Sequence, residues 1–302
     1  MLPCANVGEA ESQLKPLSAT ADLDLALTDL VGDLASYRPG GKVIILEGGG
    51  DSDFDQRVVS TLFPEVQEHA NLISGTNKVR VRALLEILEA AAEKGHVPFK
   101  FFSITDRDSD PVASPQRPQN SFSSDVYHIE NYFLVPKYIL RVLEALQTVT
   151  ALNEDALRDE LRECAKETLP QVIRHELAEY ANDLLVKAIN TGTDPNAEDL
   201  AAVLSQSVTR SLERLNALET SSLGAATLAE LERKARSKYT ESIADGTWAS
   251  KVPGRTVLKR FVGRNVPAVS YEVFRNLVLA QMKDDGYRPP GMKSVIDQVL
   301  LT

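Results

Sequence analysis

Val43-Ile44-Ile45-Leu46-Glu47-Gly48-Gly49-Gly50-Asp51 is the stretch on which the fold turns. Its first four residues form a short apolar run, mostly β-branched, bounded by turn residues. That pattern predicts a strand buried on both faces. The three glycines let the backbone turn sharply, and Phe54, Val58, Val59, Leu62 and Phe63 then recur at helical spacing up to Pro64. Further along, the alternation repeats. Asn71-Leu72-Ile73-Ser74 predicts a second strand, residues 79–92 a helix, and Phe99-Lys100-Phe101-Phe102-Ser103-Ile104 a third strand that runs into Asp106. Residues 111–124 (PVASPQRPQNSFSS) read as a mobile loop. Val126-Tyr127-His128-Ile129 reads as a fourth strand. Strands alternating with helices imply an α/β fold with a mainly parallel sheet flanked by helices.

Residues 1–21 look like a tail. Leu23, Leu25, Leu27, Leu30, Val31 and Leu34 predict a helix that ends at Pro39-Gly40-Gly41. From Pro136 onward nearly every segment has helical periodicity. The organisation expected is therefore a tail and helix over 1–40, an α/β domain over 41–138 and an α-helical domain over 139–302, which would serve substrate, dimer or partner contacts.

Composition narrows the function classes. Hydrophobic residues make up 43% of the 302 residues, enough for a real core. Cys4 and Cys164 are too few for a disulfide framework or a zinc site and read as incidental thiols of a reducing compartment. No apolar run reaches bilayer length, and no signal pattern opens the chain, so a cytoplasmic protein without membrane contact is expected. The formal net charge of −10 argues against a chain that grips nucleic acid by bulk electrostatics alone.

Acidic residues gather at the carboxyl ends of two predicted strands: Glu47 after the first, Asp106 and Asp108 after the third. Ligands of open α/β sheets sit outside those ends. Carboxylates held close together repel one another, and a divalent cation removes the conflict. Hard oxygen donors suit Mg²⁺, with Mn²⁺ as a substitute, and the chemistry of such a site is phosphoryl transfer. His128, inside a predicted strand, reads as a core histidine. Asp53 and Asp55 read as helix N-terminal acids that complement the macrodipole.

Ile44-Ile45-Leu46-Glu47-Gly48 and Ser103-Ile104-Thr105-Asp106-Arg107-Asp108 together resemble the TOPRIM pattern of topoisomerases, primases and overcoming-lysogenization-defect nucleases. The longer strings from Glu47 to Asp55 and from His128 to Tyr132 are similar to one branch of it, the TOPRIM proteins that accompany ABC-type ATPases in bacterial anti-phage defence, including PARIS-type effectors. The resemblance covers about residues 41–138. It implies a TOPRIM catalytic domain with a Rossmann-like sheet, acting as a metal-dependent nuclease on DNA, tRNA or other RNA. An ATPase partner and a homodimer are further expectations. In this reading Glu47 is a metal ligand or general base, Asp106 and Asp108 hold the ion, and Asp51 and Glu130 complete the metal shells, with Asp110 a weaker candidate. A lysine that assists the transition state would be Lys251 or Lys259. The alternatives are a TOPRIM-like interaction module with a silent site and a small-phosphate hydrolase.

Competing motifs fail on particular residues. An EF-hand loop starting at Asp106 would need glycine where Pro111 stands and glutamate where Arg117 stands. A haloacid-dehalogenase pattern has no use for Glu47 and meets Asp110 where it needs Thr or Val. The glycines 48–50 lack the Gly-Lys-Ser/Thr of a P-loop. For the phosphate backbone, Arg255, Lys259 and Arg260 cluster near a predicted helix start, and Lys78 and Arg80 follow a turn facing the acidic strand ends.

Overall fold

The computed structural model describes residues 41–48, 53–75, 77–93, 99–108, 120–147, 153–190, 192, 194 and 196–302. The expected N-terminal tail and helix, Asp51 and Asp110 lie outside the described residues. Along the chain the elements are β1 (Lys42–Leu46), α1 (Phe54–Leu62), α2 (Val66–His69), β2 (Ala70–Ser74), α3 (Lys78–Glu93), β3 (Lys100–Thr105) and β4 (Ser121–Ser123). A 3-10 turn (Ile129–Phe133) follows. Then come α4 (Pro136–Ala145), α5 (Glu154–Ala188), α6 (Leu200–Thr220), α7 (Ala225–Ala244), α8 (Trp248–Lys251), α9 (Gly254–Asn265), α10 (Tyr271–Asp284) and α11 (Pro290–Leu301). Two compact units result: one holds the described residues up to Tyr132 with Arg275–Thr302, the other Phe133–Phe274.

In the first unit the strands form one parallel sheet in the order β2-β1-β3-β4. Central β1 is apolar at four successive positions, Val43 to Leu46, all at most 3% exposed, because both its faces are covered. On one face Val43, Ile45, Ile73 and Phe101 pack against Val81, Leu84, Leu85 and Leu88 of α3, whose three- and four-residue spacing makes a single apolar stripe. On the other, Leu46 and Ile104 line a small cavity together with Val59 of α1 and Met292 of α11. Gly75 permits the tight approach of α3: a Cβ there would lie 2.2 Å from Val81 Cγ2.

Two expectations are corrected. The fourth strand is Ser121–Ser123, inside the segment read as a loop, whereas residues 126–128 run as bends. Val126 and Tyr127 are buried, as their apolar character required. Their carbonyls, however, accept the N–H groups of Arg107 and Asp108 in the turn beyond β3, and that curved partner cannot support a regular ladder. The helical region expected over 139–302 is also shortened, since Arg275–Thr302 belongs with the sheet. Met292, Ile296 and Val299 of α11 are buried. Lys42 and Lys100, the first residues of β1 and β3, donate to the carbonyls of Val299 (2.9 Å) and Thr302 (2.7 Å). They satisfy carbonyls that a helix end leaves orphaned and complement its negative pole. Helical periodicity alone does not say which core a helix joins.

The second unit is all helical among its described residues. Its spine is α5, capped by Asn153, whose side chain accepts from the Ala156 N–H at 2.8 Å. Buried Leu157, Leu161, Ala165, Val172 and Ile173 line α5, which packs against α4, α6, α7 and α9. Cys164 is also buried there, and burial pushes its thiol up to about 11. No helix among the described residues is long and apolar enough to cross a membrane.

Candidate metal centre

The chain leaves β1 for β2 on one side of the sheet and leaves β3 for β4 on the other. A crevice therefore opens at the carboxyl ends between β1 and β3. Glu47 and Asp106 stand on its two sides, and Glu47 Oε2 accepts the Asp106 N–H at 3.1 Å. Gly48, at φ 55°, takes the left-handed conformation that glycine tolerates, and its N–H donates to Asp55 Oδ2 at 2.9 Å. Asp108 is also left-handed, at φ 49°, a conformation rare for a residue with a Cβ but tolerated best by Asp and Asn. Its carboxylate lies between Lys78 Nζ, 3.3 Å from Oδ2, and His128 Nε2, 3.4 Å from Oδ1. Asp106, Asp108 and His128 each offer one ligand atom, all within 4.8 Å of one another.

His128 is held from both sides. Its backbone N–H donates to Asn131 Oδ1 at 2.9 Å, and its ring stands edge-on to Tyr127 with centroids 4.7 Å apart. Behind the cluster Glu130 is fully buried, and Arg275 Nη1 lies 3.8 Å from its Oε1. The Arg275 guanidinium sits over the Phe54 ring, 3.3 Å from its centroid.

Electrostatically the cluster is crowded with one sign. Burial pushes the Asp106 carboxyl well above the usual carboxylate range, and the charges of Asp55, Glu130, Glu47 and Asp108 add to the effect. Glu47 is raised as well, by burial and then by Asp108, against the pull of the Asp106 N–H and of Lys78. For Asp108 burial also pushes upward, but the hydrogen bond from His128 and the charge of Lys78 outweigh it and leave the group below its ordinary value. A divalent cation fits this donor set. Its charge would offset the mutual repulsion of the carboxylates, which are hard oxygen donors, while the His128 imidazole is a donor that first-row transition ions accept more readily than Mg²⁺ does.

No family model matches the chain, and no curated protein matches it.

Of the residues singled out from the sequence, Glu47, Asp106, Asp108 and Lys78 come together. Glu130 adds charge to Asp106 but has Arg275 as its ion-pair partner. Lys251, Arg255, Lys259 and Arg260 belong to the helical unit. There Lys259 Nζ lies over the Tyr271 ring at 5.0 Å and Arg260 pairs with Glu167 at 3.8 Å. Sequence reasoning missed Asp55 and His128. Asp55 does stand in the first turn of α1, as read, but it is also buried and accepts the Gly48 N–H. The signal for His128 was present, since a histidine two residues before an acid follows the strand ends, but its direction toward Asp108 depends on the bend that replaces the expected strand.

Proposed function

We propose that the sheet unit is a TOPRIM-type nuclease core that binds a divalent ion, Mg²⁺ or Mn²⁺, and hydrolyses phosphodiester bonds of nucleic acid. One observation carries the reading: Glu47, Asp106 and Asp108 converge with His128 at the carboxyl ends of neighbouring parallel strands, where burial and like charge push Asp106 well above the ordinary carboxylate range. Asp106, Asp108 and His128 would hold the ion. When bound, such an ion polarises a phosphate oxygen and makes its water a nucleophile near neutral pH. Glu47, whose pKa is raised and whose Oε2 is fixed by the Asp106 N–H, serves as the base that takes a proton from the attacking water. Lys78, 3.3 Å from Asp108 Oδ2, would be placed to offer its ammonium to a phosphate oxygen beside the ion. The helical unit supplies contacts to substrate or to a second protein. An ABC-type ATPase partner and a role in anti-phage defence extend this reading on the strength of the TOPRIM resemblance.

The test is incubation of the purified chain with labelled plasmid, single-stranded DNA and total tRNA, with Mg²⁺, with Mn²⁺ and with chelator, beside Glu47→Ala. Metal-dependent cleavage that the variant loses supports the nuclease and identifies its substrate. Cleavage of small phosphate esters alone replaces it with a small-phosphate hydrolase. Neither cleavage nor metal binding leaves an interaction module.

A further inference from the structure

Ten large apolar side chains stand exposed among the described residues, and seven of them fall between positions 185 and 212. Val186 and Ile189 close α5, and Leu200, Leu204, Val208 and Leu212 run along α6, each 43–55% exposed in the latter group. Among the described residues the stretch is fastened through its serines. Ser207 and Ser211 of α6 are buried and donate to the Asn190 carbonyl at 2.7 and 3.2 Å, fastening α6 to the end of α5. The four exposed α6 residues step by four positions and form a ridge beside that fastened face. Scattered apolar residues on a surface are ordinary, but a contiguous group of this size marks an interaction site.

Three observations select the occupant. The seven side chains together expose roughly 600 Å², near the ~800 Å² that each partner contributes to a standard interface. In a chain of net charge −10, the stretch from Leu200 to Leu212 has Arg210 as its one charged residue and no acid at all. Two copies of the chain repel over most of their surfaces but not here, and charge depletion is what distinguishes interface cores. Val208 also lies midway between Leu204 and Leu212. An antiparallel second copy therefore brings Leu204 against Leu212 of its counterpart and leaves Val208 on the two-fold axis, so one ridge is complementary to itself.

We propose that α6 and the end of α5 form an isologous dimer interface occupied by a second copy of this chain. The interface is independent of the metal centre and stands or falls without it.

Sedimentation equilibrium of the full chain from about 1 to about 100 µM reads the assembly state directly. The expected result is a mass of twice 33.1 kDa. Leu204→Glu combined with Leu212→Glu should weaken association by ~100-fold or more with unchanged helical circular dichroism. Because a doubly substituted helix can also misfold, Val208→Cys in a Cys4→Ser background provides the second arm. On mild oxidation it should give a disulfide-linked dimer, since an axial residue meets its own copy. A chain that stays monomeric over the whole range overturns the proposal. So does a dimer that survives both glutamates, or one in which Val208→Cys does not cross-link.

Discussion

In the helical unit, charged side chains stand in water and find opposite partners three or four residues away: Arg158 meets Asp155, Lys187 meets Asp183 and Arg236 meets Glu232. In the sheet unit, half-buried acids gather against one another at the ends of β1 and β3, and the buried Asp55 and Glu130 add their charge to Asp106. The first arrangement is what a sequence does to keep a helix soluble, and each such pair contributes little. The second opposes folding, because a buried carboxylate beside others of its kind raises the free energy of the native state. An arrangement that opposes folding and yet persists marks a candidate site.

The comparison breaks most visibly at Asp106. Asp106→Asn should lower metal-dependent cleavage by ~10³-fold, of the order seen when a group that stabilises charge at a reacting centre is removed. The same variant should raise the melting temperature of the metal-free protein, and a lowered melting temperature in calorimetry would contradict the account of the crowding. A purely architectural position behaves in the opposite way. Phe102 is 1% exposed, and Phe102→Ala should destabilise the sheet unit by about 3–5 kcal/mol in chemical denaturation, whether or not metal is present.

A gentler probe is pH. The Asp106 pKa is raised in the folded protein. Between the ordinary carboxylate value and that raised value, the native state holds a proton that the unfolded chain has released. The contribution of Asp106 to metal-free stability is therefore greatest at acid pH and falls as pH rises through the window. Thermal melts in a pH series should show that fall, and both Asp106→Asn and added Mn²⁺ should flatten it. The smallest effect belongs to the helical unit: Arg236→Ala should leave the melting temperature within replicate scatter, in low salt and in 0.5 M NaCl (~4 Å screening length) alike. A clear drop in low salt would show that these local pairs stabilise more than their exposure implies.

What could be read from the sequence follows the same division. Three strands were legible because Val43–Leu46, Asn71–Ser74 and Phe99–Ile104 combine an apolar run with nearby turn residues, and a strand buried on both faces leaves that signature. Glu47, Asp106 and Asp108 were legible because each stands just beyond the end of such a run. β4 was not: three half-buried residues, Ser-Phe-Ser, carry no strand signature, and its place depends on the Ser103–Ser121 hydroxyl bond and on the Asn120 carbonyl that accepts the Ser103 N–H. Asp55 and His128 were not either. Both reach the site through a backbone turn, at Gly48 and at residues 125–128, whose direction no local pattern encodes.

The position of α11 has a consequence for how the protein is made. The carbonyl of Val299 in α11 and that of Thr302 just beyond it accept from Lys42 and Lys100, so the first and third strands of the sheet are secured by residues translated after the entire helical unit. During synthesis the sheet must wait, with its strands emerged and that helix still to come. A chain interrupted anywhere before Pro290 lacks Met292 and Val295, which line the cavity beside Leu46 and Ile104.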